Sequence, residues 1–313
     1  MRRKVIQIAD STQLVSLPRK WALAHNLKKG DEVEIEEKGN KLVIYTEKGR
    51  GLESIELDIT GLDRDSLMFL IRCLYYKGYD EIKLNFKKAT TKHHKVDKEV
   101  TVISSIHEEV NRLNGVEVIQ QKEDYCIIKD ISEGNINEFD NVLRRIFLLL
   151  IDSSKDLIEG IRQKKFHLID SINEKHDTIT KFIAYNLRLL NKFSYPEEKK
   201  TTSLYHIINS IDEIIDLIKY CSRYIISNRI NVSKESLSML SRIHNILSLY
   251  HDLHYSFDLK KIERISEDRS QIVEKASAIT KKVPASEIFV LTHMSQIPEI
   301  IIHLTVTRMA LEY

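Results

Sequence analysis

The sequence that decides the fold of the N-terminal region reads VIQIADSTQLVSLPRKWALAHNLKKGDEVEIEEKGNKLVIY over residues 5–45. Its short apolar alternations predict four strands, and one short helix follows Pro18. The predicted strands cover residues 5–8, 14–17, 32–36 and 42–45, and the helix covers 19–25. Gly39-Asn40 is typical of a hairpin turn. So few strands cannot bury a core within one chain, and no cysteine lies among them, so we expect this region to form an obligate dimer.

The charge of this region differs from that of the rest of the chain. Residues 1–50 hold eleven Lys/Arg and seven Asp/Glu, a net charge of 11 − 7 = +4, whereas the whole chain carries +2 and the remainder therefore 2 − 4 = −2. A small basic head on a slightly acidic body favours an anionic partner for the head. A solvated surface with scattered lysines is the alternative.

Two segments of the head resemble a known family of DNA-binding domains. IADSTQLVSLPRKW over residues 8–21 and LKKGDEVEI over 27–35 resemble the AbrB/MazE swapped-hairpin domain. The resemblance implies that two chains interleave their hairpins into one β-barrel and that the N-terminal hairpin faces duplex DNA. By position it implies a DNA face made of Arg2, Arg3, Lys4, Gln7, Ser11, Thr12, Arg19 and Lys20. A module that only dimerises is the alternative.

The middle region, residues 51–133, alternates between strand and helix patterns. Predicted strands cover residues 55–59, 81–86, 116–121 and 125–129, and predicted helices cover about 64–77 and 100–113. Asp63 or Asp65 is expected to cap the first helix, and Gly78 is expected to end it. The order βαβαββ indicates a small α/β domain. The polar link over residues 90–98 is expected to be a mobile loop.

The third region, residues 134–313, carries apolar residues at helical spacing throughout. Six helices are predicted near residues 137–165, 167–193, 202–229, 233–256, 258–281 and 285–311. Short connections between long helices imply two three-helix bundles, over about 137–229 and 233–311. The longest apolar run, 146–151, is far shorter than a membrane span needs, so no span is expected. The scattered cysteines fit a reducing compartment, and we expect a cytoplasmic protein.

The helical region resembles PhoU, the phosphate-signalling regulator family of two repeated three-helix bundles, with Leu143-Arg144-Arg145 on its first helix. PhoU domains carry paired acids four residues apart that collect metal ions. Here Asp212 and Asp216 fit that pattern, and the spacing places them on one helix face. Asp170, Glu174 and Asp177 form a second acidic face.

If the two faces converge, a divalent or ferric ion could bind there, or neighbouring Lys and Arg could neutralise the acids instead. In the last helix, Ser295 stands where the motif has its first acid, before Glu299, so the second bundle is expected to bind metal weakly or not at all.

The middle region is similar to the α/β segment between these two modules in archaeal AbrB–PhoU fusions, through LYYKGYDEI over residues 74–82 and LNGVEVI over 113–119. The whole chain thus resembles such a phosphate uptake regulator. The expected fold class is multidomain α+β. It comprises a dimeric swapped-hairpin barrel over 1–50, a small βαβαββ domain over 51–133, and a PhoU-like pair of three-helix bundles over 134–313.

Catalytic motifs are absent from the sequence: it has no glycine-rich phosphate loop, no His-Glu-x-x-His and no nucleophile elbow. We therefore expect no enzyme. His93-His94 is interpreted as part of a solvated loop. His244, His251 and His254 have the spacing of a helical metal site, yet the sequence fixes no third ligand for them.

Together these features predict a DNA-binding transcriptional regulator of phosphate uptake and homeostasis, whose helical body acts as a sensor or a docking domain. The expected partners are duplex DNA, a second copy of the chain or a higher homo-oligomer, and a phosphate transporter component. The alternative is an adaptor that regulates a phosphate transporter without binding DNA, its head serving only to dimerise. A third interpretation, an antitoxin, is less favoured because antitoxins usually carry a short disordered tail.

Overall fold

The computed structural model describes residues 1–8, 12–38, 41–46, 52–132, 134–279 and 282–313. The chain divides into two compact units, Met1–Glu53 and Ser54–Tyr313. The first holds the short strands of the head, and the second holds the α/β region together with all the long helices.

The N-terminal unit contains two separate hairpins and one short helix. Its elements are β1 (Ile6–Ile8), β2 (Thr12–Leu14), α1 (Arg19–Ala24), β3 (Val33–Lys38) and β4 (Lys41–Thr46). β1 pairs antiparallel with β2, and β3 pairs antiparallel with β4. Each sheet has two strands, so the described residues of this unit form no closed barrel within one chain. The predicted turn at Gly39-Asn40 lies outside the described residues.

The second strand of the head lies earlier than predicted. It was expected over residues 14–17 but covers Thr12–Leu14, because pairing with β1 ends where Leu14 faces Ile6. The chain then runs unpaired to Pro18, whose extended backbone (φ −61°, ψ 124°) precedes the first residue of α1. The helix predicted after this proline is therefore present.

The α/β region forms one mixed sheet with two helices. Its elements are β5 (Ser54–Asp58), α2 (Arg64–Lys77), β6 (Glu81–Asn85), β7 (Thr90–His93), β8 (Lys98–Thr101), α3 (Val102–Val110), β9 (Val116–Gln121) and β10 (Tyr125–Asp130). The sheet order is β5-β6-β10-β9, with β5 and β6 parallel and the other neighbours antiparallel. The predicted helix signals are confirmed: the Asp63 carboxylate accepts the backbone N–H groups of Asp65 and Ser66, and Gly78 ends α2 at φ 96°.

The segment predicted as a mobile loop is instead a second, two-stranded sheet. β7 pairs antiparallel with β8, joined by a short 3₁₀ turn. β-branched residues such as Thr91 and Val100 face each other across this pair. The helix expected from residue 100 begins at Val102, because Thr101 ends β8 and its hydroxyl accepts the Ser104 N–H.

The helical body contains eight helices among the described residues. They are α4 (Phe139–Gln163), α5 (Phe166–Asp170), α6 (Ile172–Phe193), α7 (Thr201–Ser227), α8 (Lys234–Tyr255), α9 (Leu259–Ile279), α10 (Ala285–Met294) and α11 (Gln296–Glu312). Two predicted helices are each divided. The last breaks at Ser295, because Pro298 has no N–H for the Met294 carbonyl and its ring crowds that oxygen.

The other break, at Ser171, divides the helix predicted over residues 167–193. The Ser171 hydroxyl donates to the Leu168 carbonyl, and the Asn173 amide donates to the Asp170 carbonyl. Side chains that donate to these carbonyl oxygens compete with the backbone N–H groups that would bond them in a regular helix. α5 is consequently a short separate turn that packs against α4 and α7.

The long helices pack around one continuous core. α4, α6 and α7 contact one another, and α8 and α9 pack with α10 and α11. α7 also packs on α10 and α11, and α4 packs on α8, so buried side chains such as Ile211, Leu247 and Ile301 belong to a single hydrophobic cluster. This arrangement is consistent with a PhoU-like fold.

A buried ionic cluster joins the helical body to the α/β region. Arg188 of α6 donates to the carbonyl oxygens of Tyr75 and Tyr79, each at 2.9 Å, and to Asp130 at 2.7 Å. Lys192 also donates to Asp130, at 2.7 Å. Burial alone would raise the pKa of Asp130, but the bonds from Lys192 and Arg188 outweigh it and lower the pKa to about 2.

Among the described residues, one stretch, 285–312, is long and apolar enough to cross a membrane. Its side chains Leu291, Ile301 and Leu304 are buried in the core of the helical body. Core helices of globular proteins have the same length and composition, so the stretch is weak support for a membrane span.

Candidate functional site

The residues predicted to face DNA lie on the exposed surface of the N-terminal unit. Arg2, Arg3 and Lys4 precede β1; Gln7 lies in β1; Thr12 begins β2; Arg19 and Lys20 begin α1. All seven are exposed. Ser11 lies outside the described residues. The described members of the predicted DNA face therefore lie in the segment before β1, in the first hairpin and in the first turn of α1.

Apolar side chains of the same unit are exposed as well. No described side chain within residues 1–53 is buried. The large apolar side chains with 45–68% of their surface exposed are Val5, Ile6, Ile8, Leu14, Val15, Leu23, Ile35 and Leu42. An isolated two-stranded hairpin is marginally stable in water. This unit therefore presents apolar surface that a further chain would have to cover.

A second candidate site is a cleft between the α/β region and the helical body. Its volume is about 290 Å³, and α2, α3, α6 and α7 contribute to its walls. Its charged lining residues are Arg72, Glu109, Arg112, His176, Asp177, Lys181, Asp212, Asp216 and Lys219. Positive and negative groups are thus interspersed around it.

Asp216 is held in its charged form by two side chains of the cleft. Nε2 of His176 lies 3.0 Å from its Oδ1, and Lys219, one turn further along α7, donates to the same oxygen. Burial would raise the pKa of Asp216, but the hydrogen bonds from His176 and Lys219 lower it to about 2. His176 is itself oriented by Asp177, whose Oδ1 lies 2.9 Å from Nδ1.

Asp212 lies one turn before Asp216, and its pKa is shifted in the opposite direction. Burial first, and then the charge of Asp216, raise the pKa of Asp212 above its ordinary value. The Thr180 hydroxyl donates to it at 3.4 Å. Arg72 does not neutralise Asp212 directly, since it forms a bidentate pair with the buried Glu109 at 2.7 and 3.0 Å.

The five carboxylates predicted to converge on a metal do not all meet. Asp177, Asp212 and Asp216 line the cleft, whereas Asp170 and Glu174 do not. The break at Ser171 places Asp170 at the end of α5, where it accepts from Asn173, and Glu174 is exposed. In the part of the chain that the structure describes, no three His, Cys, Asp or Glu side chains are placed to hold a metal ion.

The neutralising charge around Asp216 comes from Lys219 and His176, which the sequence pattern did not single out. The contact of His176 with Asp216 joins two helices and could not be predicted from the sequence. Only Lys219, three residues after Asp216, has a spacing that indicates a contact. Among helices α8 to α11, Glu299 pairs with Arg269, and Ser295 lies at the junction of α10 and α11. Metal binding stays a prediction, carried by Asp212 and Asp216.

The histidines of α8 contribute to packing. Nδ1 of His244 lies 2.6 Å from the Ser154 hydroxyl. The rings of His251 and His254 contact Phe147, with centroids 5.8 and 4.9 Å away. Burial, followed by the nearby Arg308 charge, lowers the pKa of His254 to about 4, so its imidazole is neutral at physiological pH.

Comparison with protein families gives a match in the head. A family described as antidote-toxin recognition MazE, bacterial antitoxin, matches residues 6–51. No curated protein and no solved structure matches the chain. The N-terminal unit is thus similar to MazE/AbrB-type domains, which typically dimerise and bind DNA, and the similarity suggests a DNA-binding or antitoxin-type regulatory role.

Proposed function

We propose that the protein is a homodimeric regulator that binds duplex DNA through its N-terminal unit. One observation carries this proposal: the same fifty residues combine solvent-exposed apolar side chains, a net positive charge and similarity to a DNA-binding family. A second copy of the chain would cover the apolar side chains. Dimerisation would also double the charge of the head, from +4 to 2 × 4 = +8.

The basic residues of the head supply contacts to the DNA backbone. Arg19 and Lys20 lie in the first turn of α1, and Arg2, Arg3 and Lys4 precede β1. Lysine and arginine neutralise phosphates and release counterions, which makes affinity fall with salt. Gln7 and Thr12 carry uncharged donors and acceptors suited to base edges or phosphates.

The helical body acts as the sensor or docking domain. Its role in phosphate uptake and homeostasis, and a transporter component as its partner, are proposed from the PhoU resemblance of the helices alone. Purified full chain titrated with inorganic phosphate in a calorimeter tests the sensor role. A binding heat that saturates at a fixed number of phosphates per chain would support the sensor role. No binding heat at millimolar phosphate would leave only the docking role for the helical body.

A second candidate function is an antitoxin, which the description of the matched family favours. Co-purification of a small toxin with the tagged chain would distinguish it from a stand-alone regulator. The adaptor alternative requires a head that dimerises without DNA. Neither alternative includes catalysis, and the absence of enzymatic activity stays a prediction.

The test of DNA binding is a salt titration of the full chain with duplex fragments from its own genome. We expect the logarithm of affinity to fall linearly with the logarithm of salt, with a slope of about −0.9 per neutralised phosphate. Replacing Arg19→Ala/Lys20→Ala should flatten the slope by about 1.8 per head, because two phosphates would no longer be neutralised. Lys28→Ala/Lys29→Ala is the matched control, since this exposed pair lies between α1 and β3 and is not among the residues predicted to face DNA.

Loss of duplex binding in the Arg19/Lys20 variant but not in the control would support the proposal. A wild-type chain that dimerises yet binds no duplex fragment at low salt would favour the adaptor instead.

A further inference from the structure

A strongly basic segment of the second unit is the hairpin of β7 and β8 with the residues that lead into it. We call residues 87–99 the basic ribbon. Its five lysines are Lys87, Lys88, Lys92, Lys95 and Lys98, and its two acids are Asp97 and Glu99, giving 5 − 2 = +3. All five lysines are exposed. This short segment therefore carries more positive charge than the chain as a whole, whose net charge is +2.

The base of the ribbon is held in place, and its tip is free of packing. Thr91 is buried and donates to the Leu62 carbonyl at 2.6 Å, and the Val102 N–H donates to the Ala89 carbonyl at 2.9 Å. β7 and β8 pair only with each other and not with the four-stranded sheet. At the tip, Lys95 is exposed and Val96 keeps 51% of its surface exposed. The ribbon is thus an ordered arm with a basic tip.

The lysines of the ribbon are poorly neutralised. Lys92 pairs with Asp97 at 3.1 Å, but the two side chains are 52% and 84% exposed, and such pairs contribute little. Within the part of the chain that the structure describes, the other four lysines form no ion pair within 4 Å. Nothing in the fold of the second unit requires this concentration of charge.

A cavity of about 460 Å³ lies beside the ribbon. Lys88, Lys92 and His94 line it, together with the hydroxyl-bearing residues Thr60 and Thr90. Two acids, Asp63 and Glu99, line it as well. The Asp63 carboxylate is already occupied by the Ser66 hydroxyl and by the N–H groups that it caps. The Thr60 hydroxyl is occupied too, since it accepts the Lys87 N–H at 3.0 Å. The lysines and the Thr90 hydroxyl are of the kinds that hold a phosphate in proteins.

We propose that the basic ribbon is a second DNA-binding element, which grips the sugar-phosphate backbone of duplex DNA. The inference rests on the proposed function, because it assumes that the chain binds duplex DNA. A two-stranded ribbon fits the width of the major groove. Lysine acts on phosphate as a point charge, so the ribbon adds affinity without reading sequence.

The test removes charge from the ribbon in the full-length protein. The variant is Lys92→Gln/Lys95→Gln/Lys98→Gln, and the matched control is Lys122→Gln/Lys199→Gln/Lys260→Gln, which removes the same charge at exposed positions elsewhere. Affinity for a duplex bound by the wild type is measured between about 50 and 200 mM salt. Circular dichroism and the thermal midpoint verify that each variant is folded.

We expect the ribbon variant to flatten the log–log slope by about 0.9 for each phosphate that it no longer neutralises, hence by up to about 2.7 per chain. Its affinity deficit should then shrink by up to about 40-fold across that salt range. The control should keep the wild-type slope. Lys92→Arg/Lys95→Arg/Lys98→Arg, which retains the charge, should restore binding.

The outcomes separate this inference from the proposed function. Wild-type binding that is abolished in the Arg19/Lys20 variant but unchanged in the ribbon variant would overturn the ribbon alone. A wild type that binds no duplex would overturn both. A ribbon variant that binds duplex normally but fails to bind single-stranded RNA, or vesicles rich in phosphatidylserine, would assign the ribbon to a different partner.

Discussion

At the scale of single residues, the cleft places two carboxyl groups of opposite behaviour one helical turn apart. Asp216 is stabilised in its charged form by His176 and Lys219, whereas burial and the Asp216 charge disfavour the charged form of Asp212. The lowered pKa of Asp216 stabilises the fold at pH values above the ordinary carboxyl pKa. That contribution is lost as pH falls toward about 2.

These opposite shifts predict opposite effects of two equivalent substitutions. Asp216→Asn should lower the free energy of unfolding at pH 7 by about 1 kcal/mol, a figure reduced for solvent screening of a partly exposed side chain. Asp212→Asn should leave it unchanged or raise it, because it removes a disfavoured charge. Urea unfolding measured at pH 7 and again near pH 3 gives both values, and the Asp216 effect should be smaller at the lower pH.

Equal destabilisation by the two variants would contradict this account of the cleft. It would indicate that Asp212 is held by a favourable partner in the same way as Asp216. Metal analysis of the same two variants also addresses the metal prediction, since loss of bound metal in both would support it.

At the scale of elements, α6 is the helix that fixes the α/β region to the helical body. Arg188 is 3% exposed and serves two backbone carbonyls and the Asp130 carboxylate at once. Removing one partner of such a pair leaves the others buried and uncompensated. The attachment should therefore depend on this one side chain more than on any exposed ion pair.

Arg188→Met should lower the free energy of unfolding by about 3–5 kcal/mol at neutral pH. Arg269→Met is the control, since Arg269 forms a bidentate pair with Glu299 between side chains that are 36% and 44% exposed. The control should cost much less, because exposed ion pairs contribute little to stability. Chemical denaturation of both variants tests the comparison, and a similar cost for both would show that the buried cluster is not what holds the regions together.

Sequence patterns predicted the ends of helices, which depend on neighbouring residues. They did not predict contacts between residues that are far apart in the sequence. Asp63 and Gly78 bound α2 as expected, because a cap depends on its own few residues. The pairing of β7 with β8 was missed because residues 90–98 are mostly polar, and the pair of Thr91 and Val100 joins residues on separate strands. Arg188 lies far along the chain from Asp130, Tyr75 and Tyr79, so no spacing in the sequence could reveal that cluster.

The residues of the candidate site were also predicted only in part. Asp212 and Asp216 were named because they fit the paired-acid motif that the PhoU resemblance implies, and they do line a cleft. Asp170 was misplaced because a break of one residue, at Ser171, depends on side-chain competition for backbone carbonyls. His176 and Lys219 were not named because their role follows from the packing of α6 beside α7.

At the scale of the whole molecule, the two units differ in how much apolar surface each buries within one chain. The second unit buries two hydrophobic clusters, and α6 contributes different residues to each, whereas no described side chain of the first unit is buried. We therefore expect the first unit to require a partner chain, and the basic residues beside its apolar surface make duplex DNA the expected ligand of that dimer.

Sedimentation of the full chain, alone and with a bound duplex, tests this central claim most directly. The account predicts a mass of about 2 × 36.6 = 73.2 kDa without DNA and a complex of two chains per duplex at low salt. Residues 54–313 alone should sediment as folded monomers that do not bind the duplex as a dimer. A full chain that stays at 36.6 kDa at high concentration, or a dimer whose sedimentation no duplex changes, would contradict the account.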